Sequence, residues 1–578
     1  MTMNGIRKSW IAIGLVAVVG CKPGGGDDST VAVVTFSPID PSMGDTLTQA
    51  EVDLVIQAAA EAIDAPNLAI AVTDRIGNIL RVWNRNPASL ITDCDNRIAP
   101  SIARAAAYLS HSQAPLTSRT GQFISTFHFP AVFDLGSFDP ALGNDCAPLR
   151  PTIGVGNTPQ GPLWQIDASN RGAPIASAAT NPPTLFDPGQ EIPQLVNPAG
   201  DVPSPGLTAL PGGVPLYKRT SSAQADPGLH FVERRLVGAI GAYVTDASGN
   251  PVPEAAEFAA VSGAVVADPA TNEPYFPPFA VPKEGGVYLV GVLLPALEQV
   301  SRPSGFGPGT YDPSLTIFNS GFDGQADPFD WLISPVDSAN PLVPFTAAEV
   351  ETIILSCVDA SLKTHAAIRL PSRSACRMII TVTDIDDVIL GCYRMEDATL
   401  FSLEISITKA RNSVYFSNPG SLDASGPRAG KHPLDGIVPA GTAITCRTLG
   451  FLSQPFFPPG IQGSGVKGPL FNLALENRMP SRFNQMGFAP PGAYPDTQSG
   501  IIFFPGSAPL YRDGKLIGGL GVSGDGVEQD DFVTDQGIKK AQKALGFELE
   551  PPASIRCDQF SFRGVRLPYF KFPQHPQG

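Results

Sequence analysis

The chain is written twice. Val72-Thr73-Asp74 with Ile79-Leu80 returns as Val382-Thr383-Asp384 with Ile389-Leu390, and Ala103-Arg104 followed by Tyr108-Leu109-Ser110 returns as Ala410-Arg411 followed by Tyr415-Phe416-Ser417. Gly161-Pro162-Leu163-Trp164 with Asn170-Arg171 matches Gly468-Pro469-Leu470-Phe471 with Asn477-Arg478. The closing blocks repeat as well: Pro211-Gly212-Gly213-Val214-Pro215-Leu216-Tyr217 with Pro505-Gly506-Ser507-Ala508-Pro509-Leu510-Tyr511, and Gly238-Ala239-Ile240-Gly241 with Gly518-Gly519-Leu520-Gly521. Solenoid units run roughly 20–50 residues, and these are far longer, so the duplication predicts two homologous domains.

Local patterns give each domain its order of elements. Thr48-Gln49-Ala50-Glu51 sets a hydroxyl at a helix cap and a carboxylate three residues later, before Val52, Leu54, Val55, Ala58 and Ala59 at helical spacing; Thr346-Ala347-Ala348-Glu349 does the same before Val350, Ile353, Ile354 and Cys357. The β-branched runs 68–73 and 378–383 follow, each turning (Ile76-Gly77-Asn78; Asp386-Asp387) into a second strand. A helix carrying Arg104 or Arg411 comes next, then a Pro/Gly-rich insertion, a Pro-Gly turn, a final hairpin, and a helix beginning near Glu254 or Glu528. Asp513-Gly514 is a strong type I′ signal for the second copy of that hairpin, where the first copy has a longer charged loop. The reading is α+β: two sandwiches, each a mostly antiparallel sheet with packed helices and a long loop-rich insertion.

The insertions hold much of the Gly and Pro, which number 58 and 59 in 578 residues against roughly 12% in average usage. Trp164, Phe456, Phe457 and Phe471 supply them with apolar material, which argues for ordered loops. The expected boundaries are a signal at 1–20, a tether at 21–44, domain 1 at 45–270 with its insertion at 112–210, a linker at 271–343, domain 2 at 344–549 with its insertion at 418–504, and a tail at 550–578.

At the N-terminus, Arg7 and Lys8 precede an apolar stretch from Trp10 to Val19 that is too short to span roughly 30 Å of hydrocarbon. Val18-Val19-Gly20-Cys21 resembles a lipobox, which implies lipidation at Cys21, with the polar 22–29 as a flexible tether. By the same resemblance, Lys22 in place of an aspartate after the cysteine implies the outer membrane, with the protein facing the periplasm or the cell surface. No later run is long and apolar enough to cross a bilayer. The net charge of −15 excludes the basic footprint of a nucleic-acid binder. An oxidising envelope permits disulfides; Cys94 with Cys146 and Cys392 with Cys446 would each tie an insertion to its domain. There is no Cys-x-x-Cys, His-Glu-x-x-His, Walker loop or Gly-x-Ser-x-Gly elbow.

The capped helix, the Ala-Val-Thr-Asp strand, the Ala-Arg helix, the Pro-Gly-Gly-Val-Pro-Leu turn and the Gly-Ala-Ile-Gly strand together resemble the GlcG-like domain, also described as a haem-binding or haem-degrading (HbpS-like) domain. In the second copy, Asp513-Gly514-Lys515-Leu516-Ile517-Gly518-Gly519-Leu520-Gly521-Val522-Ser523-Gly524 followed by Glu528-Gln529-Asp530 is similar to that family's C-terminal pattern, and Tyr393-Arg394-Met395-Glu396-Asp397-Ala398 resembles its Arg-Met-Asp-Gly-Ala segment. The resemblance implies profilin-like or PAS-like sandwiches that tend to oligomerise, here as an intrachain pseudo-dimer open to higher assembly. It also implies haem or a related tetrapyrrole as ligand. Relatives occur fused to cobalamin-related enzymes and in glycolate-utilisation operons. The first copy departs from the pattern, with Gly241-Ala242-Tyr243-Val244 where the family has Gly-Val-Ser-Gly.

Candidate ligand residues follow. Ser523 and Gly524 stand at a strand-to-helix junction, where backbone N–H groups and a hydroxyl can hold an anion; a turn and helix cap is the plainer role. Arg104, Arg411, Arg171 and Arg478 recur in both copies and could clamp propionates, or simply pair with Asp74, Asp384, Glu254 or Glu528. Tyr108, Tyr415 and His111, with His128, are the residue types that ligate haem iron, although a buried tyrosine or lone histidine is more often structural. Asp525, Glu528, Asp530 and Asp531 could hold a divalent cation or merely favour a helix dipole. Three functions fit: an envelope lipoprotein binding haem or a related small ligand for sensing, scavenging or protection; a structural or protein-interaction lipoprotein with no small-molecule ligand; and an enzyme, for which no catalytic set is recognisable.

Overall fold

The computed structural model describes residues 46–87, 92–125, 207–219, 234–276, 286–289, 292–326, 328–341, 343, 345–422, 430–454, 457–458, 466–476 and 501–577. The first half runs α1 (Gln49–Ala62), β1 (Asn67–Asp74), β2 (Ile79–Asn84), α2 (Thr92–Leu109), α3 (Ser118–Ile124), β3 (Gly213–Arg219), β4 (Arg234–Thr245) and α4 (Pro253–Ala264). A middle stretch holds the short strands β5 (Tyr288–Leu289), β6 (Val292–Leu293), β7 (Thr316–Asn319) and β8 (Asp330–Ile333). The second half runs α5 (Ala347–Leu362), β9 (Ile379–Asp384), β10 (Ile389–Arg394), α6 (Ser402–Ser417), α7 (Cys446–Leu452), α8 (Phe471–Glu476), β11 (Ser507–Arg512), β12 (Lys515–Ser523), α9 (Val527–Leu545), β13 (Ser561–Phe562) and β14 (Val565–Arg566).

Both capping boxes form, with each threonine hydroxyl and each glutamate serving the other's backbone amide. Asp513 and Gly514 have φ of 51° and 73°, the two positive values a type I′ turn requires. The strand orders are β3-β4-β1-β2-β7 and β11-β12-β9-β10-β8, antiparallel at every neighbour. Helices α1 and α4 cover one face of the first sheet and α2 the other; α5 and α9 cover one face of the second and α6 the other. The chain is thus α+β with two sandwiches of one plan, and the strands are buried because both faces are covered.

The stretch read as a linker does more than connect, since β7 completes the first sheet beside β2 and β8 completes the second beside β10. The two copies also share features beyond the blocks legible in sequence. The hairpin β5–β6 is closed by Leu294 N–H donating to Val287 O at 2.8 Å, and β13–β14 by Leu567 N–H to Phe560 O at 3.1 Å. The chain after each hairpin receives hydroxyls from a Thr-x-Arg-Thr turn: Thr120 donates to Pro295 O at 2.7 Å and Thr117 to Ala296 O, while Thr448 donates to Pro568 O at 2.8 Å and Thr445 to Tyr569 O at 2.7 Å. The arginine of each turn pairs with a carboxylate on the following domain helix, Arg119 with Glu257 at 2.7 Å and Arg447 with Asp531. Each carboxylate also accepts a backbone N–H from the chain after the hairpin, Gln299 at 2.7 Å and Lys571 at 2.9 Å.

The expected Cys392–Cys446 disulfide does not form. Both are free and buried, and they belong to different apolar clusters, Cys392 with α5 and β9 and Cys446 with α7 and the C-terminal segment. Cys392 Sγ accepts the Thr381 hydroxyl at 3.4 Å. The pairing of Cys94 with Cys146, most of both insertions, Cys21 and the signal segment lie outside the described residues. Among the described residues no helix is long and apolar enough to cross a membrane.

Asp531 is fully buried and Arg447 largely so, so removing the guanidinium leaves a buried carboxylate without its counter-charge. Arg447→Met is expected to lose about 3–5 kcal/mol of stability, read as a lowered urea midpoint with an unchanged slope.

A candidate ligand site at the seam of the two repeats

The residues that follow α2 in the first repeat run against the second. His111 is fully buried; its Nδ1 accepts from Gln113 N–H at 3.2 Å and Ala114 N–H at 3.1 Å, which places the proton on Nε2 for donation to Ile368 O at 3.0 Å. Burial and the nearby Arg369 push its pKa well below the ordinary histidine value. Arg369, also fully buried, donates to Gln113 Oε1 at 3.0 Å, Asp397 Oδ2 at 2.7 Å and Asp397 O at 2.6 Å, and pairs with Asp525. Ser112 N–H donates to both oxygens of Asp397, at 3.0 and 3.2 Å. Burial would raise the Asp397 pKa, but Arg369 and these donors hold it well below the usual carboxylate range. One continuous apolar cluster joins α2 and α3 to the core of the second repeat.

Beside this seam lies a cavity of about 30 Å³. Leu109, Leu116 and Ile124 wall it from the first repeat, Leu289 and Leu294 from the β5–β6 hairpin, and Ile368, Phe401, Phe504 and Val527 from the second. Its polar end is Lys409, Ser523, Gly524, Gly526 and Asp530. Lys409 Nζ is fully buried and donates to Asp530 Oδ2 and to Val522 O, both at 2.8 Å. Asp530 Oδ1 is buried without a hydrogen-bond partner. Burial pushes the Asp530 carboxyl up to about 7, against the opposing pull of Lys409.

The first repeat has the same place with different residues. Gly212 and Gly506 both carry positive φ, 122° and 103°, and their carbonyls accept from Ala242 N–H at 2.9 Å and Val522 N–H at 2.8 Å. A Cβ on Gly212 would meet Ala256, and one on Gly506 would meet Asp530 and Lys409 Nζ. Ala256 is therefore the counterpart of Asp530. Ile102, two residues before Arg104 as Lys409 is before Arg411, is the counterpart of Lys409.

Of the residues singled out from sequence, Ser523, Gly524 and Asp530 line the cavity; Ser523 Oγ donates to Ser402 Oγ at 3.2 Å, and Gly524 is packed so that a Cβ would sit 2.3 Å from Arg377 O. The other described candidates are engaged elsewhere. Arg104 Nε donates to Gly77 O at 2.8 Å and Arg411 Nε to Asp387 O at 2.9 Å, each reaching the turn of its own domain's first hairpin. The Tyr108 hydroxyl donates to Ile76 O at 2.8 Å, and Tyr415 packs edge-on to Phe416 with centroids 5.0 Å apart. Both ring nitrogens of His111 are occupied at the seam. Arg171, Arg478 and His128 lie outside the described residues. In the acidic cluster Asp525 pairs with Arg369, Asp530 with Lys409, Asp531 with Arg447 and Glu528 with Lys571, and among the described residues no group of three His, Cys, Asp or Glu side chains could hold a metal.

Lys409, Arg369 and Asp397 are the residues that sequence reasoning passed over. The signal for Lys409 was a difference between the copies, a lysine where the other has isoleucine. The cavity does not fit haem, because small-molecule pockets are typically about 300–1,000 Å³ and none of its lining residues is a His, Cys, Met or Tyr.

Residues 471–539 match the family model for the haem-degrading protein HbpS-like family. The corrinoid adenosyltransferase PduO of Salmonella typhimurium (strain LT2) is 24% identical over 187 residues, 32% of this chain and 39% of that protein; the chain thus spans well under half the length of that relative. Among solved structures, a PduOC–haem complex is similar at 18% identity over 36% of this chain and 98% of its own, with a TM-score of 0.20. The Klebsiella pneumoniae protein ORFY is similar at 16% identity over the same shares, with a TM-score of 0.22.

Because His111 is neutral in the fold and its pKa is depressed, the unfolded chain binds the extra proton first as pH falls. The contribution of His111 is complete above about pH 6.5 and is lost below it by roughly 1.4 kcal/mol per pH unit. The stability difference between the wild type and His111→Gln, measured by urea unfolding from pH 7.5 to 5, is expected to shrink with that sign.

Proposed function

We propose that this chain, which carries a GlcG-like domain, is a small-ligand-binding protein whose site is the seam cavity of the second repeat. The observation that carries this reading is the buried Lys409–Asp530 pair set into an otherwise apolar wall. Ligand pockets combine mostly apolar linings with a few placed polar groups, and a buried ion pair is a weak stabiliser next to well-packed apolar residues of similar volume. The family match makes haem or a related tetrapyrrole the first ligand to test. The seam cavity fits neither the size of such a ligand nor its need for an axial ligand, so haem, if bound, would lie elsewhere on the chain. The first repeat, with Ile102 and Ala256 at the corresponding place, serves as the wall against which the site closes.

The same proposal places the protein in a bacterial envelope, lipidated at Cys21 and held at the outer membrane, where it senses, scavenges or shields against its ligand. The lipobox-like Val18-Val19-Gly20-Cys21 supports this. Metabolic labelling with palmitate is expected to mark the protein and to be lost in Cys21→Ala; labelling that survives the substitution would remove the anchor.

Haemin titration of the chain from Lys22 onward, which keeps every described residue, tests the ligand. A saturable Soret shift at one haemin per chain, unchanged in K409I/D530A, would mark a haem site outside the seam cavity. Featureless, unsaturable adsorption would instead favour a structural or protein-interaction role.

A further inference from the structure

The duplication supplies an internal control for Lys409 and Asp530. In the first repeat the corresponding place is filled by Ile102 and Ala256, so the fold does not need a charge pair there. In the second repeat Lys409 uses two of its three N–H donors, on Asp530 Oδ2 and Val522 O. Asp530 is 3% exposed and its Oδ1 accepts nothing. One donor of Lys409 and one oxygen of Asp530 are therefore left over in a pair that lines an apolar cavity.

We propose that Lys409 and Asp530 form an acid-recognition end that binds the carboxylate of a small aliphatic acid, Lys409 donating to one oxygen and a protonated Asp530 donating from Oδ1 to the other. The proposal rests on the reading that the seam cavity is the ligand site, and it deepens that reading by naming the ligand's polar group. The cavity of about 30 Å³ holds little more than a water as it stands, so the acid enters where the seam parts, its apolar tail then lying against Leu109, Leu294, Ile368 and Phe401.

Charge balance dictates the proton. A carboxylate added to an ionised Lys409–Asp530 pair would bring an uncompensated negative charge into a buried place; with one proton taken from solvent onto Asp530, a single ammonium faces a single carboxylate. The groups facing Asp530 allow this. Lys409 approaches from α6; Asp531 on the same helix is paired with Arg447; Asp525 from the preceding loop is paired with Arg369; and Cys376, ahead of β9, is a buried thiol whose pKa is raised well above its usual value. The carboxyl of Asp530, at about 7, is already close to accepting the proton. Acid binding is therefore flat below pH 7 and weakens about tenfold per pH unit above it.

The test is calorimetric titration of the chain from Lys22 onward with butanoate and with butan-1-ol, at pH 6 and pH 8.5. Saturable butanoate binding is expected, roughly thirtyfold weaker at pH 8.5 than at pH 6, with uptake of about one proton at pH 8.5 and little at pH 6, and with butan-1-ol much weaker and insensitive to pH. The double variant K409I/D530A copies the first repeat's residues and is expected to melt at the same or a higher temperature while losing butanoate. Asp530→Asn, which keeps a donor beside Lys409, is expected to keep butanoate binding and lose its pH dependence. Equal, pH-independent binding of the alcohol, or full butanoate affinity in the double variant, would overturn the proposal. Butan-1-ol binding with no butanoate binding would overturn it while leaving the cavity as a ligand site; butanoate binding without haemin would uphold it and remove haem.

Discussion

A buried guanidinium lies at the centre of the contacts that join the two halves of this molecule. Arg369 takes Gln113 from the first repeat and Asp397 and Asp525 from the second, and it is fully buried where its charge would be very costly without those partners. Asp525 lies just before α9 and also accepts the Arg377 N–H at 2.6 Å, so the same ion fixes where that helix starts. Asp397 lies just ahead of α6 and holds Ser112. Arg369 thereby sets the distance between the start of α9, the approach to α6 and the end of α2, and the cavity is the space these elements leave. Its walls come from both repeats because the interaction that defines it does.

Retention in both copies proved a guide to structure more than to chemistry. Arg104 and Arg411 recur because each hairpin turn needs its carbonyl satisfied from the neighbouring helix, and Tyr108 serves Ile76 O in the same way. The capping boxes and the Asp513-Gly514 turn were legible because local hydrogen bonding alone dictates them. Arg369 and Asp397 were not, since each occurs in one copy and works only through partners far away in sequence. The Cys392–Cys446 pairing failed for a related reason: the expected insertion tie took no account of the separate cores in which the two residues are buried. The matching hairpins β5–β6 and β13–β14 share a fold position with little sequence, and only the short Thr-x-Arg-Thr turns that receive them gave a sequence trace.

The copies differ where one has been freed from a task. The first repeat fills the place of Lys409 and Asp530 with Ile102 and Ala256, and lacks the Gly-Val-Ser-Gly turn, having Gly241-Ala242-Tyr243-Val244 instead. It contributes the ends of α2 and α3 and the β5–β6 hairpin to the cavity as apolar wall. At the seam it contributes polar contacts, His111, Ser112 and Gln113, whose counterparts from Asn418 onward are different; Asn418 Oδ1 accepts instead from Gly420 N–H at 2.9 Å. Among the described residues the contact is thus head-to-tail, one patch of the first repeat against a different patch of the second.

That geometry constrains how the cavity can work. An isologous pairing of two identical sites would make two equivalent cavities, both closed by the same contacts. A heterologous pairing of diverged copies makes one cavity, with its polar end on one domain and its apolar cover on the other, so the cover can change without disturbing the charged end. The contacts that close it, centred on His111, Arg369 and Asp397, include a neutral buried histidine and a carboxylate held ionised by an arginine, both of which weaken in acid. Asp530 gains its proton near neutrality, above the range in which His111 weakens the seam and far above that of Asp397. Protonation of the charged end and loosening of the cover therefore follow one another as pH falls, which couples the state of the site to the state of the seam through groups a few residues apart.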